Sequence, residues 1–232
     1  MTAPQGVFLD MPLHIKENIM GRLDFAEKMC LRRCSKSIKE VVDNSRTFIK
    51  KVWLTDNRDG YKLELLDKSA EYFIHYNNHQ DGHVRIVKKA ERSSPNEQGY
   101  RAVVETRNTK DYSEGVTPIQ ALFADMAFLF RNTHRVTVGM LDIDNYALQA
   151  DFFEDLRVIL SNLRDPLPVR RLLMSFNIDR ARIMKVLPYL KAGTLQRIEL
   201  QYISEQATVL DEVRNTEQWN QAALVSINGN QI

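Results

Sequence analysis

The sequence predicts an α+β fold in three parts: three short helices (residues 8–46), an antiparallel β-meander (47–115) and alternating strands and helices (116–232). Three observations carry this. Apolar residues recur every four positions in the first part. They fall in short β-branched and aromatic runs between turn residues in the second. In the third, helical and alternating periods follow one another.

The first part opens on Pro12, whose φ is preset for a helix start. Ile15, Ile19 and Leu23 then line one face, with Met20 beside them. Asp24 and Glu27 have capping-box spacing for a second helix that carries Phe25, Met29, Cys30 and Leu31. Ser35 is placed to cap a third, with Ile38, Val41 and Val42 inward and Lys36, Lys39 and Glu40 outward. Three helices of this length leave much apolar surface uncovered, because bundles under about 40 residues rarely stabilise themselves. They therefore read as a docking element.

The same residues resemble an F-box. The Leu-Pro start of that family corresponds to Met11-Pro12, its spaced aliphatic stripe to Ile15, Ile19 and Leu23, and its Leu-Arg pair to Leu31-Arg32. Its Ser-Lys run corresponds to Cys34-Ser35-Lys36, followed by Val41-Val42-Asp43. Methionine replaces the usual leucine at 11, and Ile38 stands where many members carry Trp or Arg. The resemblance implies that Met11, Pro12, Leu13, Ile15, Ile19, Leu23, Phe25, Leu31, Cys34, Ile38 and Val42 bind a Skp-family adaptor, and through it a cullin-RING ubiquitin ligase. Read without the resemblance, these helices are a small bundle packed on the chain's own downstream part.

In the second part, runs over residues 48–54, 61–66, 72–76, 84–88 and 100–105 alternate with turn chemistry at 57–60, 77–82 and 93–96. His75, His79 and His83 invite a metal site. Imidazoles four apart converge only on a helix, and the intervening Asn and Gly residues break helices. Polar residues around a turn are the expected reading, with no metal.

In the third part, Thr117-Pro118 with Gln120 marks a helix start leading into Leu122, Phe123, Met126 and Phe130. Strands are expected at 135–143, 169–176, 195–203 and 222–227, with helices at 148–163 and 183–190. The pairs Val136/Val138, Leu172/Met174, Ile198/Leu200 and Val225/Ile227 lie 36, 26 and 27 residues apart, and the last two offsets match a leucine-rich-repeat-like period. Stacked strand–helix units of this kind present one strand face to solvent. Thr137 and Gly139, Arg171, Leu173 and Ser175, and Arg197, Glu199 and Gln201 are expected on it, a mixed row suited to protein recognition.

Residues from about 118 to 203 are similar to the FTH domain of the large nematode F-box family. The resembling residues are chiefly the 121–130 helix, the 135–139 strand and the run at 191–200. The resemblance implies a second domain that selects a protein target. The sequence ends at Ile232, just after a candidate strand, so either the domain is shortened or a partner covers its open edge.

Composition fits this reading. The chain has 232 residues, 44% hydrophobic and 27% charged, with a formal net charge of +2. Basic pairs such as Lys50-Lys51, Lys88-Lys89 and Arg170-Arg171 are dispersed as solvated faces, unlike a nucleic-acid surface. No run of 18 apolar residues suggests a membrane span, and the N-terminus lacks a secretory signal, so a cytoplasmic or nuclear location is expected. Cys30 and Cys34 read as reduced core residues. No Gly-rich phosphate loop, Gly-x-Ser-x-Gly or His-Glu-x-x-His is present, and Asp142/Asp144 read as solvated strand-end carboxylates. The expected function is therefore a non-catalytic, cofactor-free substrate receptor of a Skp–cullin–F-box ligase with an unnamed protein target. The alternative is an interaction protein that binds the adaptor without presenting a substrate.

Overall fold

The computed structural model describes all residues except 1–7, 24, 58–59, 68–69, 79–83, 93, 96–100, 103–107, 112–114, 132, 146–151, 177, 204–209 and 230–232. The chain divides into two compact units, Met1–Phe48 and Ile49–Ile232.

The first unit contains helices α1 (Leu13–Arg22), α2 (Phe25–Arg32) and α3 (Lys36–Asn44). Pro12 precedes α1 as its N-cap residue with φ −55°, where a missing N–H costs nothing. Ser35 caps α3 by accepting from the Ile38 N–H at 3.2 Å. Asp24 lies outside the described residues, so its half of the expected capping box does too. Arg32, near the end of α2, donates from Nε to Asp43 Oδ1 at 2.6 Å and from Nη2 to Oδ2 at 3.2 Å. This two-pronged pair fastens α2 to α3 across eleven residues of chain, and it gives Arg32 and Asp43 a structural reason to be there. The buried Lys28 donates to the Arg46 carbonyl at 3.0 Å.

Charge-assisted hydrogen bonds of this kind contribute roughly 1.5–3 kcal/mol. Asp43→Ala leaves the half-buried Arg32 guanidinium without its carboxylate. Amides of α3 are then expected to exchange roughly ten- to a hundredfold faster by hydrogen-exchange mass spectrometry, a change this energy range implies.

The second unit begins within β1 (Thr47–Asn57) and continues as β2 (Gly60–Leu66), β3 (Ala70–Asn78) and β4 (Val84–Arg92). These four pair antiparallel in sequence order. Gly60 opens β2 with φ +134°, a conformation open to glycine. Short strands β5 (Ser94–Pro95) and β6 (Arg101–Ala102) pair with each other, and β7 (Asn108–Asp111) pairs with β4.

Helix α4 (Pro118–Phe130) starts with the expected capping box, Thr117 accepting from the Gln120 N–H and Gln120 reaching back. Then follow β8 (Val136–Asn145), α5 (Phe152–Ser161), β9 (Val169–Ser175) and α6 (Arg180–Met184). After a 3₁₀ turn, Leu187–Tyr189, come β10 (Arg197–Ile203), α7 (Asp211–Arg214), α8 (Glu217–Gln221) and β11 (Leu224–Gly229). The expected helix over 183–190 is thus two pieces. Pro188 has no N–H to continue an α-helix and sits in the 3₁₀ turn instead. Helices α7 and α8 were not anticipated, being four and five residues long, below the reach of periodicity.

One nine-stranded sheet collects these elements in the order β11-β10-β9-β8-β1-β2-β3-β4-β7. Pairing from β8 through β11 is parallel. The meander and the strand–helix region therefore share a sheet, and β1 joins β8 at its centre.

One face of the sheet is the core. Val52, Leu54, Leu63, Tyr76, Leu141, Ile143, Leu172, Met174, Ile198 and Leu200 are buried there. Helix α4 packs on β2 and β3 and on α5. Phe152 of α5 lies stacked on Tyr61 of β2, with centroids 6.0 Å apart, and against Phe123 of α4 at 5.7 Å. Tyr76 keeps its hydroxyl satisfied by donating to Asp125 Oδ2 at 2.8 Å.

Candidate functional site

Two surfaces follow from this architecture. The first lies on the N-terminal helices. Leu13 is 69% exposed, and Met11, Ile15, Ile19, Leu23, Leu31 and Ile38 are half-exposed, whereas Met20 is fully buried. The aliphatic stripe of α1 is therefore reachable from outside while its neighbour anchors the helix. Pro12 and Cys34 are exposed. Phe25 stands at the start of α2, and its side chain is not among those described. Val42 is 4% exposed, which takes it off the accessible face.

Cys30 and Cys34 are both exposed free thiols, correcting the expectation that they fill a core. They lie at the end of α2 and in the turn after it, and the Cys34 thiol reaches the Cys30 carbonyl at 3.5 Å. His79 and His83 lie outside the described residues. Among the described residues no group of His, Cys, Asp or Glu is arranged to hold a metal ion.

The second surface is the sheet face opposite the core, where charged side chains from four strands meet. Lys51 of β1 approaches Asp142 of β8 at 2.7 Å. One step along both strands, Trp53 donates its indole N–H to Asp144 Oδ2 at 2.8 Å. Farther across, Glu199 of β10 receives Arg171 of β9 at 2.5 Å and its strand neighbour Arg197 at 2.6 Å, both through Oε1. Lys51 and Arg171, expected as solvated charges, are thus parts of cross-strand ion pairs. Asp142 and Asp144, also expected in solvent, are only 4% and 7% exposed.

The expected row needs a register correction on β8. Buried apolar positions there change parity, from Val136 and Val138 to Leu141 and Ile143. Cα partners across a parallel pair share a face, and Arg171, Leu173 and Ser175 pair with Met140, Asp142 and Asp144. Thr137 and Gly139 are not beside them. Leu173, Arg171, Arg197 and Gln201 are half-exposed, whereas Ser175 and Glu199 are buried. Sequence reasoning missed Lys51, Trp53 and Met140. No local signal marks the first two, because the β1–β8 junction pairs residues about ninety positions apart.

Burial raises the Asp142 and Asp144 carboxyls above their ordinary value. Lys51 opposes the shift at Asp142; at Asp144 the neighbouring Asp142 adds to it, while Trp53 and Ser175 oppose. Glu64, on β2 beside Trp53, is raised by burial as well. A carboxylate whose folded pKa is raised binds its proton more tightly in the folded state, so its contribution to stability falls as pH rises through that window. Asp144→Asn removes the desolvated charge and keeps an acceptor for Trp53. It is expected to raise the melting temperature at about pH 7.5, and the gain is expected to shrink as the pH is lowered and the native carboxyl takes up its proton. Thermal melts at descending pH check this; a gain that grows on acidification contradicts it.

Residues 8–50 match the model of the F-box domain, and residues 150–232 match that of the FTH domain. The chain carries an F-box domain and an FTH domain. No curated protein and no solved structure matches it.

The F-box takes in all three N-terminal helices and the first residues of β1. The FTH match takes in Arg171, Leu173, Ser175, Arg197, Glu199 and Gln201, but not β8, whose Asp142 and Met140 complete the row. F-box domains typically bind Skp-family adaptors in cullin-RING ligases, and such proteins are generally non-catalytic; no enzyme family is matched. The F-box thus points to substrate recognition in a Skp–cullin–F-box ubiquitin ligase. Among the described residues no helix is long and apolar enough to cross a membrane.

Proposed function

We propose that this chain is a substrate receptor: its F-box docks a Skp-family adaptor, and the charged sheet face of its C-terminal unit holds a protein target. The observation that carries the reading is the F-box match over helices whose aliphatic stripe, Leu13, Ile15, Ile19 and Leu23, stands partly exposed. An apolar stripe in water gains by being covered. Receptor and ligase then act by proximity, raising the effective concentration of target lysines near the transferring enzyme.

The sheet face, part of which lies in the FTH match, offers what a target contact requires: paired charges, a Trp and half-exposed apolar residues. Co-expression with a Skp-family adaptor and size-exclusion chromatography test the docking half. A one-to-one complex is expected. A folded chain that elutes apart from the adaptor overturns the proposal. A shorter lifetime of a bound target in the presence of the ligase distinguishes a receptor from a partner that binds without promoting degradation.

A further inference from the structure

The sheet face carries two arginines that share one buried carboxylate. Arg171 and Arg197 are direct Cα partners on adjacent parallel strands, two like charges side by side. The single carboxylate between them, Glu199, takes both Nε groups on one oxygen. Glu199 is 8% exposed, whereas the two arginine side chains are 38% and 44% exposed. Their Nε ends are therefore held inside and their Nη ends turned outward. Asp142, one strand away, also acts on Arg171, and it is the outward half of each guanidinium that stays open to a ligand.

The same row continues on both sides with apolar side chains. Met140 pairs with Arg171, and Leu224 pairs with Arg197, so β8 to β11 present Met140, Arg171, Arg197 and Leu224 in line. Met140 is half-exposed and Leu224 is 48% exposed. Four strands at about 4.8 Å spacing put the two apolar ends roughly 14 Å apart, with the guanidinium pair centred about 7 Å from each. An extended peptide advances about 3.3 Å per residue, and its residues i, i+2 and i+4 share a face. The dimensions agree.

We propose that this row binds an extended segment of the target bearing a carboxylate at one position and apolar residues two before and two after it. The segment crosses β8 to β11. Its Asp or Glu sits between the Nη groups of Arg171 and Arg197, and its apolar side chains rest on Met140 and Leu224. Guanidinium forks suit a planar carboxylate. This assigns a ligand chemistry to the target face and so rests on the receptor reading.

The test uses the full chain bound to its adaptor and a capped, fluorescein-labelled peptide with leucine, glutamate and leucine at alternate positions and serines between. Fluorescence anisotropy at low salt is expected to show saturable binding that weakens as salt is added. Replacing the glutamate by glutamine, or Arg197→Gln in the protein, is expected to weaken binding at least about tenfold, the loss of a charge-assisted pair. Arg197→Gln keeps the Arg171–Glu199 pair, and a thermal melt checks that the fold survives. If it does not, Arg197→Lys retains the charge without the fork and is expected to weaken binding severalfold.

Equal binding of the glutamine peptide, no binding at all, or tighter binding of a phosphoserine version overturns the proposal. Adaptor complex formation is read in the same sample. Peptide binding without adaptor binding leaves the site standing and removes the receptor reading, and the opposite result removes only the site.

Discussion

Replacing Ile19 and Leu23 together by aspartate is expected to abolish the complex with a Skp-family adaptor at micromolar concentrations. Both side chains are half-exposed on one stripe of the F-box. Full burial of one such side chain is worth roughly 1.5–3 kcal/mol, and placing a carboxylate there adds a desolvation cost. Even a partial loss at two positions corresponds to about a hundredfold or more in affinity. The buried Met20, which anchors α1 in the first unit, is untouched, so the helix is expected to remain formed. Isothermal titration of the adaptor, with circular dichroism to confirm helical content, checks the result. Unchanged affinity in a folded double variant removes the adaptor face from these residues.

The second large effect concerns the core. Phe152 is fully buried, stacked on Tyr61, tilted against Phe123 and edge-on to Phe153 at 5.4 Å. It joins α5, inside the FTH match, to β2 and α4, outside it. Phe152→Ala removes that junction and the ring contacts to Tyr61, Phe123 and Phe153. Such truncations cost about 3–5 kcal/mol. For a unit of this size each kcal/mol shifts the melting midpoint by roughly 2–4 °C, so a fall of about 10 °C is expected by calorimetry. A fall of only a degree or two would mean that the FTH strands and the meander do not share a core. The measurement therefore also asks whether residues 150–232 are stable without the strands that precede them.

Much of the local structure was legible from the chain. Ser35 and the Thr117/Gln120 box marked real helix starts, because a cap is a contact between residues three apart. The strands at β1 to β4 and at β8 to β11 were marked by alternation, which is also local. The inward pairs Leu172/Met174 and Ile198/Leu200 are fully buried as their spacing required. Short elements escaped: α7 and α8 each span little more than one turn, too few residues for a period to repeat.

The candidate sites divide in the same way. The F-box stripe was readable because Ile15 and Ile19 lie one turn apart on α1, with Leu23 directly after its end. The charged row of the sheet was only half readable. Arg171, Leu173, Arg197 and Glu199 were placed correctly on one face by alternation, but on β8 the parity change between Val138 and Leu141 moved Asp142 and Asp144 into the row and Thr137 out of it. No feature of the sequence announces such a change. It shows only in the pairing of β8 with β9.

By itself, then, the sequence determined where the longer helices and strands lie and which of their faces are apolar, since these depend on neighbours a few positions apart. The tertiary structure alone decided that β1 pairs with β8, that Lys51 meets Asp142 and Trp53 meets Asp144, and that two arginines share Glu199. Strand order and register join residues tens of positions apart. They are chosen by which arrangement buries the most apolar surface and leaves the fewest charges unpaired, a property of the whole sheet that no local pattern encodes.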